Sequence, residues 1–369
     1  MLFTFVGGAG HFLPLCPIAQ AAQAAGHEVA VAGAPSVQPI IEAAGLEAIP
    51  TGTRKTTPVP RTELLPLDPD REDRDLRDGF ADRATRQRLP MLTEIFQSWR
   101  PDVVACDETD FGAMLAATRL GLPYATVLVL AAGSFARPEL LAEPLDAIRA
   151  EHGLPPDPRL EMPSRHLVLS PFPPSLRDPA CPLPATAHSF NALRPRRAPR
   201  AERPVAYFTL GTVFNVESGD LFERVLAGLA RLDATVLVTV GSTIDPGELG
   251  PQPPHVRLAQ YVPQEEVLPF CDVVVSHGGS GSVAGALAYG VPMVLLPMGA
   301  DQPLNAARCA ELGTAVVLDA VSATADDVVA AVTTVVTQPQ YRHAAERLRD
   351  ELAALPGAEH AVALLEGLR

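Results

Sequence analysis

A pattern that occurs twice in the chain constrains the fold more than any other feature. Residues 115–130 contain a helix-like segment, a Gly-Leu-Pro tripeptide and a strand-like run, and residues 284–297 repeat that order around Gly-Val-Pro. Glycine ends a helix in the left-handed conformation, and proline is suited to the start of the following element. The repeat therefore predicts two similar α/β domains, which is also what 369 residues require, since a single core rarely grows so large.

The strand-like runs alternate with longer alanine- and leucine-rich segments, as in parallel α/β units. The predicted strands lie at 2–6, 28–32, 103–106, 124–130 and 167–170 in the first half, and at 205–210, 235–240, 273–276, 293–297 and 314–318 in the second. A proline- and arginine-rich segment separates the halves. We expect a first domain at 1–193, a linker at 194–204, a second domain at 205–350 and a C-terminal helix within 351–369.

Bulk composition excludes several classes of protein. The net charge of −14 argues against nucleic acid or an anionic membrane surface as a partner. The five cysteines are scattered and form no CxxC pair, so neither a zinc site nor a disulfide framework is predicted. No apolar stretch is long enough for a membrane span, and the N-terminus lacks a basic region before its apolar residues. These features predict a soluble, cytoplasmic protein and leave a homodimer open.

The most specific chemical signal is a glycine-rich turn between a strand and a helix. It has the sequence Ser-His-Gly-Gly-Ser-Gly-Ser at 276–282. Such a turn brings backbone N–H groups close to an anion, and the helix N-terminus carries partial positive charge. The predicted phosphate cradle consists of His277, Gly279, Ser280, Gly281 and Ser282.

Polar residues at other strand ends complete a path for a nucleotide sugar, with a base, a diphosphate and a sugar in order. Val262 and Gln264 follow the run at 257–259 and can bind a pyrimidine edge. Gly211 and Thr212 follow a strand and can face the diphosphate. Asp301 and Gln302 can bind sugar hydroxyls, with Asn305 one helical turn further on; the alternative for Asp301 is a simple helix N-cap.

Four segments in this order resemble the nucleotide-sugar glycosyltransferases of the two-domain GT-B type, and more narrowly the bacterial inverting enzymes that act on natural-product aglycones. The segments are 8–15, 173–176, 209–212 and the block from 261–264 through 277–282 to 301–302. The resemblance implies two Rossmann-like domains facing each other across a cleft and a C-terminal helix that packs back on the first domain. It also implies a dTDP- or UDP-sugar donor, a hydrophobic, polyketide-like acceptor, and no cofactor or metal. Ser280 and Gly285 replace the tryptophan and the ribose-binding glutamate of plant relatives.

His11 is the predicted catalytic base. It follows the first strand and a glycine-rich turn, and its free pKa near neutrality suits general-base catalysis. A carboxylate partner would orient the ring and stabilise its charged form. Asp107, at the end of a strand, matches the place of that partner in the family, and Asp110 is the reserve. His27, in a helix-to-strand turn, is predicted to be structural.

The acceptor side is less well defined by sequence. Acceptor identity is expected to depend on loops within 51–95 and 131–165. Phe80, Phe111 and Phe135 are candidates for the acceptor pocket, although ordinary core or loop packing is the favoured interpretation of each. Residues 61–88 are crowded with both charge signs, which predicts a mobile surface segment, and a border of the cleft is the lesser alternative.

Other functions stay open at this point. One keeps the fold but changes the reaction, as in GT-B-like sugar-nucleotide epimerases; another is a non-catalytic helper that binds the donor or the aglycone. A dehydrogenase is disfavoured, because the N-terminal glycines do not complete GxGxxG and Glu28 lies too close to serve as the ribose-binding acid.

Overall fold

Two parallel β-sheets, one in each half of the chain, form the framework of the protein. A computed structural model describes residues 1–52, 60–193, 195, 198–199 and 202–368. The first sheet has seven strands in the order β3-β2-β1-β4-β5-β6-β7, and the second has six in the order β10-β9-β8-β11-β12-β13. Every strand pair in both sheets is parallel. The predicted fold class, α/β with two Rossmann-like domains, is confirmed.

The strands of the first sheet are β1 (Leu2–Thr4), β2 (Ala30–Gly33), β3 (Glu47–Pro50), β4 (Val104–Asp107), β5 (Tyr124–Val127), β6 (Leu167–Ser170) and β7 (Ala187–Ser189). Those of the second are β8 (Val205–Thr209), β9 (Thr235–Thr239), β10 (Val256–Ala259), β11 (Val273–Ser276), β12 (Met293–Leu295) and β13 (Ala315–Val317). All ten predicted strands are present, although several are shorter than predicted. The three strands that were not predicted, β3, β7 and β10, are all edge strands. Their side chains are largely exposed or half-buried, so they lack the continuous apolar run of a central strand.

The helices of the first half are α1 (Ala9–Phe12), α2 (Cys16–Ala24), α3 (Gln38–Ala43), α4 (Pro69–Arg74), α5 (Thr85–Trp99), α6 (Phe111–Leu120) and α7 (Pro138–Glu151). Those of the second are α8 (Leu221–Leu229), α9 (Gln264–Val267), α10 (Ser280–Ala288), α11 (Gln302–Glu311), α12 (Ala325–Thr337), α13 (Pro339–Ala353) and α14 (Ala358–Glu366). A π-helical segment, Asp75–Ala84, joins α4 to α5. Among the described residues, no helix has the length and apolar character that crossing a bilayer requires.

The last helix of the chain returns to the first domain. Ala361, Val362 and Leu365 of α14 are buried in the same hydrophobic cluster as β1 and α2. His27, after α2, pairs with Glu366 at 2.8 Å, which is the structural kind of role predicted for it. Of the predicted linker, residues 194, 196, 197, 200 and 201 lie outside the described part of the chain.

The charged segment 61–88 does not have the structure that its composition predicts. From Pro69 onward it is helical, and its apolar residues, Leu76 and Ala81, are buried. Asp68 caps α4 by accepting a hydrogen bond from the N–H of Arg71 at 3.1 Å. The prediction of a mobile surface segment is wrong, because tertiary contacts of the few apolar residues outweigh the polar majority.

Candidate active site

The candidate site lies where the strand order of each sheet reverses. In the first sheet, β1 is flanked by β2 and β4, so the chain turns in opposite directions on leaving β1 and β4. In the second sheet the corresponding point lies between β8 and β11. Ligands of open α/β sheets bind in the crevice at this position, beyond the carboxyl ends of the strands. His11 and Asp107 lie at the first of these points, and Gly211 and His277 at the second.

His11 contacts a buried carboxylate. Its Nδ1 is 3.4 Å from Asp107 Oδ2 and 3.4 Å from Thr109 Oγ1. Burial lowers the pKa of His11, but the carboxylate of Asp107, supported by the charges of Asp301 and Glu108, outweighs it, and the net pKa is raised above 6.5. With Nδ1 toward Asp107, Nε2 is the ring nitrogen left for chemistry in the cleft.

Asp107 itself is fixed by three hydrogen bonds. Its Oδ2 accepts from the N–H of Val6 at 2.7 Å, and its Oδ1 accepts from both the N–H and the hydroxyl of Thr109 at 2.6 Å. Burial raises the pKa of Asp107, yet His11 and these donors lower it below its usual range, so the carboxylate is ionised. Thr109 was not singled out from the sequence, although it lies only two residues from Asp107.

Asp110, the reserve partner, is committed elsewhere. Its carboxylate pairs with the buried guanidinium of Arg88 at 2.6 and 2.9 Å and caps α6 by accepting from the N–H of Ala113 at 3.2 Å. Thr4 also donates to it at 2.8 Å. Of the two carboxylates, the structure therefore places Asp107 beside His11.

The glycine-rich turn of the second domain packs around a buried histidine. A Cβ added to Gly211 would lie 2.8 Å from Cε1 of His277, and one added to Gly279 would lie 2.5 Å from its Nε2. Burial lowers the pKa of His277 to about 4, so the ring is neutral near pH 7. A neutral imidazole has one N–H to donate, and the backbone of Thr209 also interacts with this ring.

Helix α10 begins at the same turn. Gly279 occupies its N-cap position without a side-chain cap, and the first intrahelical acceptor is the carbonyl of Gly279, which binds the N–H of Val283 at 3.0 Å. The N–H groups of Ser280, Gly281 and Ser282 therefore belong to the first turn, whose donors have no partner within the helix. Gly281 is exposed and Ser282 is buried. This end of α10 has the polarity that an anionic ligand prefers.

The Ser280 hydroxyl is already engaged by other residues. It donates to Asp301 Oδ2 at 2.5 Å and accepts the N–H of Ala131, from the first domain, at 2.7 Å. Asn305 donates to the same Asp301 oxygen at 2.7 Å. Asp301 occupies the N-cap position of α11, but its side chain makes no capping hydrogen bond. Its carboxylate instead joins a cluster that spans both domains.

Gln302 and Gln264 lie in different surroundings within the second domain. Gln302 is buried, and its Oε1 accepts from the N–H of Met298 at 2.8 Å. Gln264 lies at the start of α9, and its Oε1 would lie 2.7 Å from a Cβ at Gly285. The absence of a side chain at Gly285 therefore makes room for the Gln264 amide. Val262 is half-buried nearby, packed against a core cluster, whereas Thr212 is exposed on the loop after β8.

The helical segment that follows residue 68 covers the site from the first domain. Phe80 stacks on His11, with ring centroids 6.0 Å apart and planes at 22°. Glu72 reaches the donor domain, where its Oε2 accepts from the N–H of Ala300 at 2.7 Å. Burial raises the pKa of Glu72, although the Ala300 N–H and Arg71 oppose it. Sequence reasoning missed Glu72, because nothing local shows that this segment faces the cleft.

The three candidate acceptor residues have different surroundings. Phe80 is half-buried beside the His11 ring. Phe111 is 1% exposed in the first-domain core, so it does not line an acceptor pocket and that prediction is wrong. Phe135 is half-buried against two core clusters of the first domain. Among the described residues, no cluster of three or more potential metal ligands is found.

These features define a class of enzyme. Two parallel-sheet domains, a histidine–carboxylate pair at the switch point of one and a glycine-rich strand-to-helix turn at that of the other are typical of GT-B glycosyltransferases. Solved structures agree. The rhamnosyltransferase SpnG of spinosyn superimposes with a TM-score of 0.83 at 25% identity, covering 99% of this chain and all of that one. The structure of SpnG with thymidine diphosphate superimposes with a TM-score of 0.80 at 24% identity, covering 99% of both chains. The structure of SpnG with spinosyn aglycone superimposes with a TM-score of 0.79 at 25% identity, covering 99% of this chain and all of that one.

Sequence relatives identify the family. Tylactone mycaminosyltransferase of Streptomyces fradiae is 30% identical over the whole of this chain and 92% of its own length. L-demethylnoviosyl transferase of Streptomyces niveus is 30% identical over 96% of this chain and 94% of its own. The model of the erythromycin biosynthesis protein CIII-like C-terminal domain matches residues 223–368. The chain belongs to the glycosyltransferase family of antibiotic biosynthesis and is a glycosyltransferase.

Proposed function

We propose that this enzyme transfers a deoxysugar from a dTDP- or UDP-sugar to a hydroxyl of a hydrophobic, polyketide-like aglycone, with inversion at the anomeric carbon. The contact between His11 and Asp107 is the observation that carries the proposal, because it supplies a base at the edge of the acceptor domain. The names of the relatives, a mycaminosyltransferase for tylactone and a demethylnoviosyl transferase, support the class of acceptor and donor. The thymidine diphosphate complex of SpnG favours a dTDP donor.

His11 Nε2 accepts the proton of the acceptor hydroxyl as the oxygen attacks the anomeric carbon. Attack comes from the face opposite the nucleotide, so the new C–O bond forms as the bond to the diphosphate oxygen breaks. The electron pair of the broken bond stays on the diphosphate. Asp107, ionised and held by Val6 and Thr109, stabilises the imidazolium that results. A base positioned in this way contributes about 10²–10⁴-fold to the rate.

The leaving diphosphate gains its stabilisation from the second domain. The first N–H groups of α10, the neutral His277 ring and the loop of Gly211 and Thr212 surround the place where negative charge develops. We infer that these donors act without a bound metal ion, because no group of three or more potential metal ligands is found among the described residues.

The remaining groups hold the two ends of the donor and the acceptor. Asp301 and Gln302 bind sugar hydroxyls, and Val262 and Gln264 bind the pyrimidine. Phe80 offers an apolar face beside His11 for the aglycone. Ser280 contributes its backbone N–H to the cradle, since its hydroxyl is used within the protein.

A thermal-shift panel tests the donor assignment. The purified chain is heated with dTDP, UDP, GDP, ADP or NAD, each at the same concentration. A ligand that binds only the folded state raises Tm, by an amount that grows with its affinity. We expect selective stabilisation by dTDP or UDP. Stabilisation by NAD alone, or by none of the five, would contradict the proposal.

A further inference from the structure

Glu108 is a buried carboxylate that the transfer reaction does not use directly. It follows Asp107 at the end of β4, and 8% of its surface is exposed. Its Oε1 accepts two backbone hydrogen bonds, from the N–H of Val129 at 2.6 Å and of Leu130 at 2.7 Å. Burial raises the pKa of Glu108 to about 7, against the opposing effects of Arg177 and the two N–H groups. A buried carboxylate next to the catalytic pair needs a reason to be there.

The loop that Glu108 holds is fixed on its other side as well. Arg177 donates to the carbonyl of Leu130 at 3.3 Å, and the N–H of Asp178 donates to the carbonyl of Ala132 at 2.9 Å. The loop then turns through two residues with positive φ, Gly133 at 78° and Ser134 at 64°. Its backbone is therefore clamped through both N–H and carbonyl groups, and residues 131 and 132 have a defined direction.

Those two residues cross to the donor domain. The N–H of Ala131 donates to Ser280 Oγ at 2.7 Å, and the N–H of Ala132 donates to Asn305 Oδ1 at 3.1 Å. Asn305 and Ser280 in turn both donate to Asp301 Oδ2, at 2.7 and 2.5 Å. A series of hydrogen bonds, joined by the covalent backbone of residues 129–132, thus connects Glu108 to the carboxylate that we assign to the donor sugar.

We propose that Glu108 is a positioning residue that couples the two domains, fixing the 129–132 backbone so that it holds Ser280 and Asn305 and thereby orients Asp301. The inference rests on the proposed role of Asp301, but the coupling between Glu108 and Asn305 is a property of the protein without ligand. Glu108 touches no reacting atom. It sets the geometry in which the sugar is presented to His11.

A double-mutant cycle tests the coupling without any donor. Glu108→Ala and Asn305→Ala are made singly and together, and Tm is measured for all four proteins. The two residues lie in different domains and do not touch, so independent effects would add. We expect the Tm of the double variant to fall little more than that of the more destabilised single variant, because either change alone breaks the series.

Asn215→Ala is the matched control. The side-chain amide of Asn215 donates to the Val240 carbonyl at 2.8 Å within the donor domain, outside this series. The Tm loss of Asn215→Ala should add to that of Glu108→Ala. If the Tm losses of Asn305→Ala and Glu108→Ala were also additive, the coupling would be overturned.

Calorimetry then tests the positioning role. Removal of Glu108 should weaken binding of dTDP-glucose about tenfold and binding of dTDP about twofold or less, because only the sugar depends on Asp301. Glu108→Gln retains an oxygen acceptor for residues 129 and 130, and it should restore most of the loss; it is also the variant to use if Glu108→Ala does not fold. Equal losses for dTDP-glucose and dTDP, or no recovery with glutamine, would overturn the inference. If neither dTDP nor UDP binds the unmodified protein, the proposed function fails, while the Tm cycle still decides the coupling.

Discussion

Each domain has a histidine at the point where its strand order reverses, on non-equivalent strands, and the two histidines have opposite properties. His11 follows β1 and His277 follows β11, in each case at the point where the strand order reverses. His11 has a raised pKa, whereas burial lowers the pKa of His277 to about 4. The difference comes from the partners: His11 contacts the ionised Asp107, while His277 is enclosed by glycine backbone. The two switch points therefore hold one histidine with a raised pKa and one that is neutral near pH 7.

Replacement of His11 should have the largest effect. His11→Ala removes the base, and we expect turnover to fall at least about 10²-fold with little change in donor affinity. Steady-state kinetics with a dTDP-sugar and calorimetry with dTDP measure the two quantities. His27→Ala is the matched control, since His27 pairs with Glu366 on the far side of α2. Unchanged turnover in His11→Ala would remove the base assignment.

Asp107→Asn tests the carboxylate that makes the pKa of His11 differ from that of His277. His11 must be neutral to act as a base. Its raised pKa therefore places the acid limb of the pH profile of kcat/KM above pH 6.5 in the unmodified enzyme. Without the Asp107 charge, burial is opposed only by the smaller effects of Asp301 and Glu108, so the limb should move to lower pH while kcat/KM falls about 10–100-fold.

Asp110→Asn provides the contrast to that change. It breaks the buried pair with Arg88, so it should lower Tm without moving the acid limb. If both variants keep the acid limb of the unmodified enzyme, Asp107 does not control the protonation of His11.

The sequence predicted one side of this comparison more fully than the other. The glycine-rich turn is local: a strand, two glycines and a helix start within a few residues, so His277 and α10 were predictable in place. Asp107 was found because it ends a strand. Thr109 and Glu108 lie beside it, yet Thr109 contacts His11, and Glu108 binds the backbone of residues 129 and 130, partners that only the folded sheet brings near.

Sequence reasoning offered the cover over His11 only as the lesser alternative for segment 61–88, a border of the cleft. Residues 69–84 carry mostly charged side chains, a composition typical of a solvated segment, and their helical structure depends on contacts of Leu76, Phe80 and Ala81. Phe111 shows the opposite case, since this candidate for the acceptor pocket packs in the core, which was the favoured interpretation. Local pattern shows where a strand or helix lies, but tertiary packing decides which of its side chains face the cleft.

His277→Ala should have a smaller effect than the changes at His11 and Asp107. It removes one hydrogen bond to the diphosphate, and we expect dTDP to bind about tenfold more weakly. Because the ring is neutral above its pKa of about 4, dTDP affinity of the unmodified enzyme should not titrate with this residue between about pH 5.5 and 8. His255→Ala, which loses a contact to the Ala230 carbonyl at 3.1 Å, is the control. Equal calorimetric affinities for His277→Ala and the unmodified protein would refute a diphosphate contact.

The smallest change tests whether the glycines serve the ligand alone or also the histidine. Gly279 has a φ of −61°, which alanine adopts without strain, so only the 2.5 Å approach of its Cβ to His277 Nε2 opposes Gly279→Ala. We expect a loss of dTDP affinity of about threefold, because the ring must move away from the cradle. In the double variant of Gly279→Ala and His277→Ala the clash no longer exists. Gly279→Ala should then cause no loss of dTDP affinity beyond that of His277→Ala. Fully additive losses would mean that Gly279 is needed for the ligand's own approach, and that the second domain holds its histidine in place by other contacts.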